Sequence, residues 1–541
     1  MGATTTPEVF WIGSRQSDGA PIAAAIGGNK AAGLSRLDSL GLRVPPAIVL
    51  STGFCEEYFE RGGTLGPDFP QQLAGYVRRL EESTRTRLGG RHPLLVSVRS
   101  SPPTSMPGML DTILNVGLTE STVRGVIRTT GNPALAWDAY RRLVRSFAET
   151  VHDVPAGVFD RLTSRYVTDA RASAVQDLDP LTLRSLARES ADLMRALTGQ
   201  PLPGDPLMQI VRAVDAVCRS WNSARAREYR RLNGLESLSA TAVLIQAMVF
   251  GNAGGASGSG VGFTRDPTDG RDELYLDFLF NAQGEDVVSG RQAGSDAARL
   301  RRVLPGVHAE LEQAKARLEA EFRDMQDFEF TVQDGRLYFL QTRAGKRTPW
   351  AALQIAVDLV SAGIIDAETA LQQLTNVDLD AVERTRLEPG SDEVPIATGI
   401  PSSLGVAVGA IAFDPVRAQQ MALEQPVILV RSEISPDDIA GLAAASGVLT
   451  AFGGRTSHAA VVARQMGRVC VVGCRALRLE SGPHRCSIGD RTFREGESIT
   501  IDGETGHVYK GRVAVVTEKP LDALATIAGW RQPSPISNGS A

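Results

Sequence analysis

Three stretches of this chain hold residues whose types and spacing suit phosphoryl chemistry. The first is 453–464, GGRTSHAAVVAR. Two glycines make a flexible loop, and Thr456 and Ser457 are favourable helix N-cap residues. His458 then falls on the first turn of an apolar helix. Free backbone N–H groups and the positive end of the helix dipole gather there. That field disfavours imidazolium, so the ring stays neutral and nucleophilic, and the same N–H groups welcome a phosphate on it. The stretch reads as a phosphorylatable histidine. A histidine that merely caps or packs is the alternative.

The second stretch is 327–343, DFEFTVQDGRLYFLQTR. Apolar and polar residues alternate on both sides of Asp334-Gly335, which predicts a β-hairpin. Period two puts Asp327 and Glu329 on one face, and likewise Gln341 and Arg343. Two carboxylates one residue apart on a strand can hold Mg2+ together with phosphate oxygens. An arginine across the hairpin can neutralise those phosphates. A polar, solvent-facing sheet edge is the competing reading.

The third set is dispersed. Lys30 follows Gly27 and Gly28 where a helix carrying Leu34, Leu37 and Leu40 begins, a place suited to phosphate contact. The P-loop spacing is absent, and an exposed lysine near a helix end would look the same. Arg99 ends the buried strand LLVSV and faces a Pro- and Ser-rich loop, as a phosphate clamp or a salt-bridged structural arginine. The glycine-rich run 251–260 could close its amides over a polyphosphate or serve as a plain hairpin loop. Gln246 lies on the strand before it, and Asp277 on the strand pair after it.

The elements that must position these residues follow in order. Residues 119–235 read as largely helical, broken by prolines at 133, 155, 201, 203 and 206. The arginine-rich run 225–231 reads as a solvated helix face. Two helical segments, about 350–362 and 366–375, precede a polar stretch that reads as a hinge. From 396 to 512 short β runs alternate with helices, an α/β domain with His458 at a strand–loop–helix junction. The expected division is 1–348, 349–395, 396–512, and a disordered tail at 513–541.

With 541 residues the chain exceeds one core, and three or four units are expected. A net charge of −5 with mixed signs argues against nucleic-acid or anionic-membrane partners. No apolar run approaches the roughly 20 residues of a membrane span. The N-terminus lacks the features of a signal peptide; its Met-Gly start fits the myristoylation pattern only loosely. Five cysteines suit a reducing cytoplasm, with Cys470 and Cys474 as buried thiols.

Taken together the motifs resemble the pyruvate, phosphate dikinase family, which is related to phosphoenolpyruvate synthase. GGNKAAGL, SVRSSPPTSMPGMLDTILNVGL, GNAGGASGSGVGFTRDP, NAQGEDVVSG, DFEFTVQDGRLYFLQTRAGKRT and SPDDIAGLAAASGVLTAFGGRTSHAAVVARQMG occur in the family's order over about 20–512. The resemblance implies an α/β and α+β multidomain chain: an ATP-grasp nucleotide-binding region at 1–348, then a swivelling β/β/α phosphohistidine domain at 396–512. It makes His458 the phosphorylated residue, with Thr456 and Arg455 beside it. Lys30, Arg99, Gln246, Asp277, Glu329, Gln341 and Arg343 fall on nucleotide positions, and Asp327, Glu329 and Gln341 on metal positions for Mg2+. Three departures stand out: Pro102-Pro103-Thr104 in a loop of usually small residues, Arg455 for an apolar residue, and Asp277 for a glutamate.

The expected reaction uses ATP and inorganic phosphate, with the phosphoryl group passing through His458 to pyruvate. A complete dikinase continues into a barrel of at least ~200 residues, and some thirty follow the histidine domain here. The acceptor site is therefore expected on a separate subunit or protein; a homodimer is compatible with this. Other readings are transfer to a different acceptor, as in rifampin phosphotransferases, or a nucleotide-binding regulatory paralogue without catalysis.

Overall fold

A computed structural model describes residues 8–13, 20–104, 106, 109–284, 287, 297–390, 393–435, 438–455, 457–480 and 485–531, with only the backbone of His458. The chain forms two compact units, Met1–Ser257 with Thr331–Thr342, and Gly258–Phe330 with Arg343–Ala541.

The first unit is built on five strands: β1 (Val9–Ile12), β2 (Ala47–Leu50), β3 (Val96–Ser101), β4 (Thr112–Val116) and β5 (Ala242–Ala247). Their order is β1-β2-β5-β3-β4, antiparallel at every pairing. Every residue of β2 and β5 is buried, as their unbroken apolar runs require. Helices α1 (Ala24–Ser39), α2 (Thr52–Glu60) and α3 (Phe69–Thr84) precede β3. Between β4 and β5 come α4 (Glu120–Thr130), α5 (Pro133–His152), α6 (Gly157–Asp169), α7 (Pro180–Thr198), α8 (Pro206–Ser220) and α9 (Ala224–Leu232).

Two of the prolines that punctuate this helical stretch, and a third at 180, start helices. Pro133, Pro180 and Pro206 occupy first turns behind Asn132, Asp179 and Asp205, whose side chains accept from helix N–H groups. Proline has no N–H to lose there and its φ is already helical. The arginine run, expected as a solvated helix face, is in part buried. Arg230 is 7% exposed, its Nη1 donates to the Trp221 carbonyl at 2.6 Å, and its guanidinium lies 4.0 Å from the Trp221 ring centre. Cation–π stacking and that hydrogen bond offset its burial.

The second unit holds β6 (Gly258–Phe263), β7 (Tyr275–Phe280), α10 (Ala297–Val303) and α11 (Pro305–Phe322). The hairpin follows as β8 (Gln326–Gln333) and β9 (Arg336–Ala344), in a sheet of order β7-β6-β8-β9. The hairpin's outer part counts with the first unit. Asp334 and Gly335 both take positive φ at its turn, as a tight hairpin needs. Next come α12 (Pro349–Ser361), α13 (Ala367–Gln373) and β10 (Arg384–Leu387).

An eight-stranded sheet forms the rest. Its strands are β11 (Ala397–Thr398), β12 (Ile400–Ser403), β13 (Val406–Ala412), β14 (Val427–Arg431), β15 (Gly447–Thr450), β16 (Val469–Val472), β20 (Ser498–Asp502) and β21 (His507–Lys510). They lie in the order β11-β21-β20-β13-β14-β15-β16-β12. β13 to β16 are parallel, joined by α14 (Pro415–Met421), α15 (Ile439–Ala444) and α16 (His458–Gln465). Parallel strands need such crossovers. Val427 and Leu429 face the helices with Ala418, Leu442 and Ala463. Ile428 and Val430 face a small sheet of β17 (Leu477–Leu479), β18 (Arg485–Ile488) and β19 (Arg491–Arg494). Period-two alternation thus makes two cores and a β/β/α sandwich.

Residues 513–531 were expected in a disordered tail and are structured. β22 (Val515–Glu518) pairs antiparallel with β10. The helix α17 (Leu521–Trp530) buries Ala523 and Ile527 in a core shared with α12 and α13. Burial of the apolar residues in VAVVTEKPLDALATIAGW outweighs the entropy of ordering the segment. The expected tail beyond, 532–541, lies outside the described residues.

Candidate functional site

In the first unit the basic residues gather where α1 meets β3. Gly28 has φ +75 and kinks α1. A side chain there would start 1.6 Å from the Ser101 carbonyl oxygen, so only glycine allows the approach. The helix restarts with its N–H groups engaged: Asn29 N donates to the Pro102 carbonyl at 2.9 Å, and Ala31 N to Ser101 Oγ at 3.2 Å. Lys30 Nζ donates to the Ser100 carbonyl at 3.0 Å. Arg99, in the middle of β3 rather than at its end, donates from Nη2 to Gln341 Oε1 at 3.4 Å. Lys30, Arg99 and Gln341 thus all bear on β3. Gln246 is 2% exposed and sends its amide to the Pro45 carbonyl at 3.3 Å.

In the second unit the acidic residues face a different problem. Asp327 is 3% exposed. Arg343 Nε donates to its Oδ2 at 2.8 Å. Burial nonetheless pushes its pKa above the ordinary carboxylate value, helped by the charge of Glu329 and opposed by Arg343 and Arg464. Near-complete burial of Asp327 excludes the solvent-facing-edge reading of this strand. Among the described residues no three His, Cys, Asp or Glu form a cage. Two interacting carboxylates, the buried one still raised despite the charges of Arg343 and Arg464, fit a cation whose shell is completed by phosphate oxygens.

The histidine loop packs against this sheet. Gly453 has φ +118, which a side chain would strain. A side chain at Gly454 would start 2.7 Å from Asp277 Oδ2. Arg455 stacks 4.8 Å over the Tyr275 ring. Burial raises the Tyr275 hydroxyl to about 12, against the nearby charges of Arg455 and Arg464. Ser457 is the N-cap of α16, accepting from Ala460 N at 3.5 Å, and His458 is its first residue. The expected helix-start histidine is therefore present in the backbone. Thr456 lies outside the described residues.

The glycine-rich run is not a lid over its whole expected length. β6 begins at Gly258. Side chains at Gly258, Gly260 and Gly262 would meet Phe278, Phe330 and Phe328 at 2.2, 2.5 and 2.4 Å. These glycines make room for rings, which leaves 251–257 as the loop. Sequence reasoning also passed over Arg464, fully buried in α16; a lone cation ending the apolar run AAVVA was the available signal.

Residues 64–303 match the family model of the pyruvate phosphate dikinase AMP/ATP-binding domain. Residues 423–506 match that of the PEP-utilising enzyme mobile domain. The chain is 40% identical over 531 residues to the chloroplastic pyruvate, phosphate dikinase of Flaveria pringlei, covering 97% of this chain and 55% of that protein. It is 41% identical over 527 residues to the pyruvate, phosphate dikinase of Clostridium symbiosum, covering 96% and 60%. It thus spans little more than half the length of these relatives. The fold is accordingly an ATP-grasp nucleotide-binding region followed by a β/β/α domain of the mobile type.

Proposed function

We propose that this chain is an ATP-dependent phosphotransferase that phosphorylates its own His458, the nucleotide half of a dikinase reaction converting ATP, pyruvate and phosphate to AMP, phosphoenolpyruvate and diphosphate. The observation that carries the reading is the packing of Gly454, four residues before His458, against the carboxylate of Asp277. It puts the histidine loop on the sheet that bears Asp327 and Glu329. The match to an AMP/ATP-binding domain and a mobile domain supports it.

Lys30, Arg99 and Arg343 bind and orient the phosphates. Asp327 and Glu329, with Gln341, would hold Mg2+, which neutralises phosphate charge when bound. The lone pair of the neutral His458 ring attacks the β-phosphorus. An N–P bond forms, the bond from that phosphorus to the α–β bridging oxygen breaks, and AMP leaves with its electron pair. An oxygen of inorganic phosphate then attacks the γ-phosphorus. The bond to the β–γ bridging oxygen breaks, diphosphate departs, and one phosphoryl group stays on His458. Arg455, stacked on Tyr275, steadies the loop. Pyruvate is the acceptor that then takes the phosphoryl group from His458.

The test is incubation with β-labelled ATP and Mg2+, with and without phosphate. Acid-labile label on the protein with AMP release, absent in His458→Ala, is the expected result. Wild-type protein that takes no label and releases no AMP would overturn the proposal in favour of a nucleotide-binding regulator.

A further inference from the structure

Arg464 is among the largest fully buried side chains of the molecule. Its Nη1 donates to the carbonyls of Arg455 and Ser402, both at 2.9 Å. One guanidinium corner therefore ties the loop before His458 to β12. The other edge is different: Nε and Nη2 are buried and make no hydrogen bond among the described residues. No ion pair reaches Arg464 among them either. Its guanidinium lies 5.6 Å from the Phe263 ring centre, and its charge is felt by Asp327 and Tyr275. A buried cation with an open two-donor edge is costly unless an anion completes it. The edge is a planar fork of the kind that matches phosphate oxygens.

We propose that Arg464 acts directly in phosphotransfer: Nη1 holds the histidine loop, and the Nε/Nη2 edge takes a phosphoryl oxygen. This rests on the phosphohistidine reading above. The oxygen belongs either to the nucleotide before transfer or to the phosphoryl group on His458 after it; both present the same chemistry.

The experiment compares wild type with Arg464→Lys and Arg464→Met in the full chain. Arg464→Lys keeps the charge but loses the fork. It is expected to form acid-labile label about 10²-fold more slowly at saturating ATP. A nucleotide source adds weaker ATP binding, whereas a phosphohistidine source shortens the half-life of the isolated phosphoprotein at unchanged ATP affinity. Melting supplies a readout that a purely structural arginine would not move. Phosphorylation should raise the melting temperature of wild type and leave that of Arg464→Met unchanged, whatever the starting stability of that variant. Wild type that labels normally while Arg464→Lys matches it within about twofold, well inside the tenfold that 1.4 kcal/mol represents, would overturn the inference and leave the phosphohistidine reading standing. Wild type that takes no label would instead remove the reading on which it rests.

Discussion

The two groups of candidate residues solve opposite electrostatic problems. In the first unit the cations are already satisfied: Lys30 rests on a backbone carbonyl and Arg99 on the amide oxygen of Gln341. Both are partly exposed, so exchanging those neutral partners for phosphate oxygens costs little. In the second unit the charges are buried and incompletely matched. Asp327 stays above its ordinary pKa despite the ion pair with Arg343 and the charge of Arg464, and Arg464 has an open donor edge. Satisfied groups bind by exchange; frustrated groups bind because the ligand removes a standing penalty. Unmatched buried charges of the kind seen in the second unit are what a protein tolerates where function requires them, whereas the cations of the first unit carry no such penalty.

The largest expected effect separates stability from activity at Asp327. Asp327→Asn should slow phosphohistidine formation by about 10²–10³-fold, read by single-turnover labelling. The same variant should melt above wild type at neutral pH. Burial raises the folded-state pKa of Asp327, so its proton is held more tightly in the folded protein. Its destabilising contribution is absent below the ordinary carboxylate value of about 3.9, sets in as pH rises through the raised value, and persists above it. The melting difference should therefore close in acid. A variant that melts below wild type at neutral pH would mean that the Arg343 pair outweighs burial, and the contrast between the units would fail.

A smaller effect is expected at Gly454. Alanine there would press on Asp277 Oδ2, moving the loop off the sheet while leaving both cores intact. Displacement of about 1 Å costs about 10²-fold in rate. Labelling should fall to that extent with melting nearly unchanged. Labelling at the wild-type rate would show that the close approach of the loop to Asp277 is not part of the working arrangement.

What could be read in the sequence was what repeats or stands beside a turn signal. The hairpin about Asp334-Gly335, the helices after β4 and the capped helix of His458 rest on local periodicity and capping. The double character of β14, whose alternate residues serve two cores, left only an apolar run. Arg464 and Arg230 were hidden because charge alone predicts exposure, while their burial depends on distant carbonyls and rings. β22 and α17 were missed because their partners lie over a hundred residues earlier. A glycine's purpose, conformational or steric, is equally invisible until its neighbour is known.

That last distinction gives the smallest predicted effect and the sharpest division within one run of sequence. Gly255 has nothing within 4 Å of where its side chain would start, whereas at Gly258 the Phe278 ring stands 2.2 Å away. Gly255→Ala should change stability by less than about 1 kcal/mol, with the sign favouring the folded state because the unfolded chain loses freedom. Gly258→Ala must displace a buried ring beneath β6 and should cost about 1–3 kcal/mol. Denaturant unfolding measures both. If the loop at 251–257 acts as a phosphate lid, Gly255→Ala should instead reveal itself in ATP affinity while leaving the unfolding curve in place. Equal destabilisation by the two variants would show that the run is one packed structure and that its glycines cannot be divided between ring-packing and ligand-closing roles.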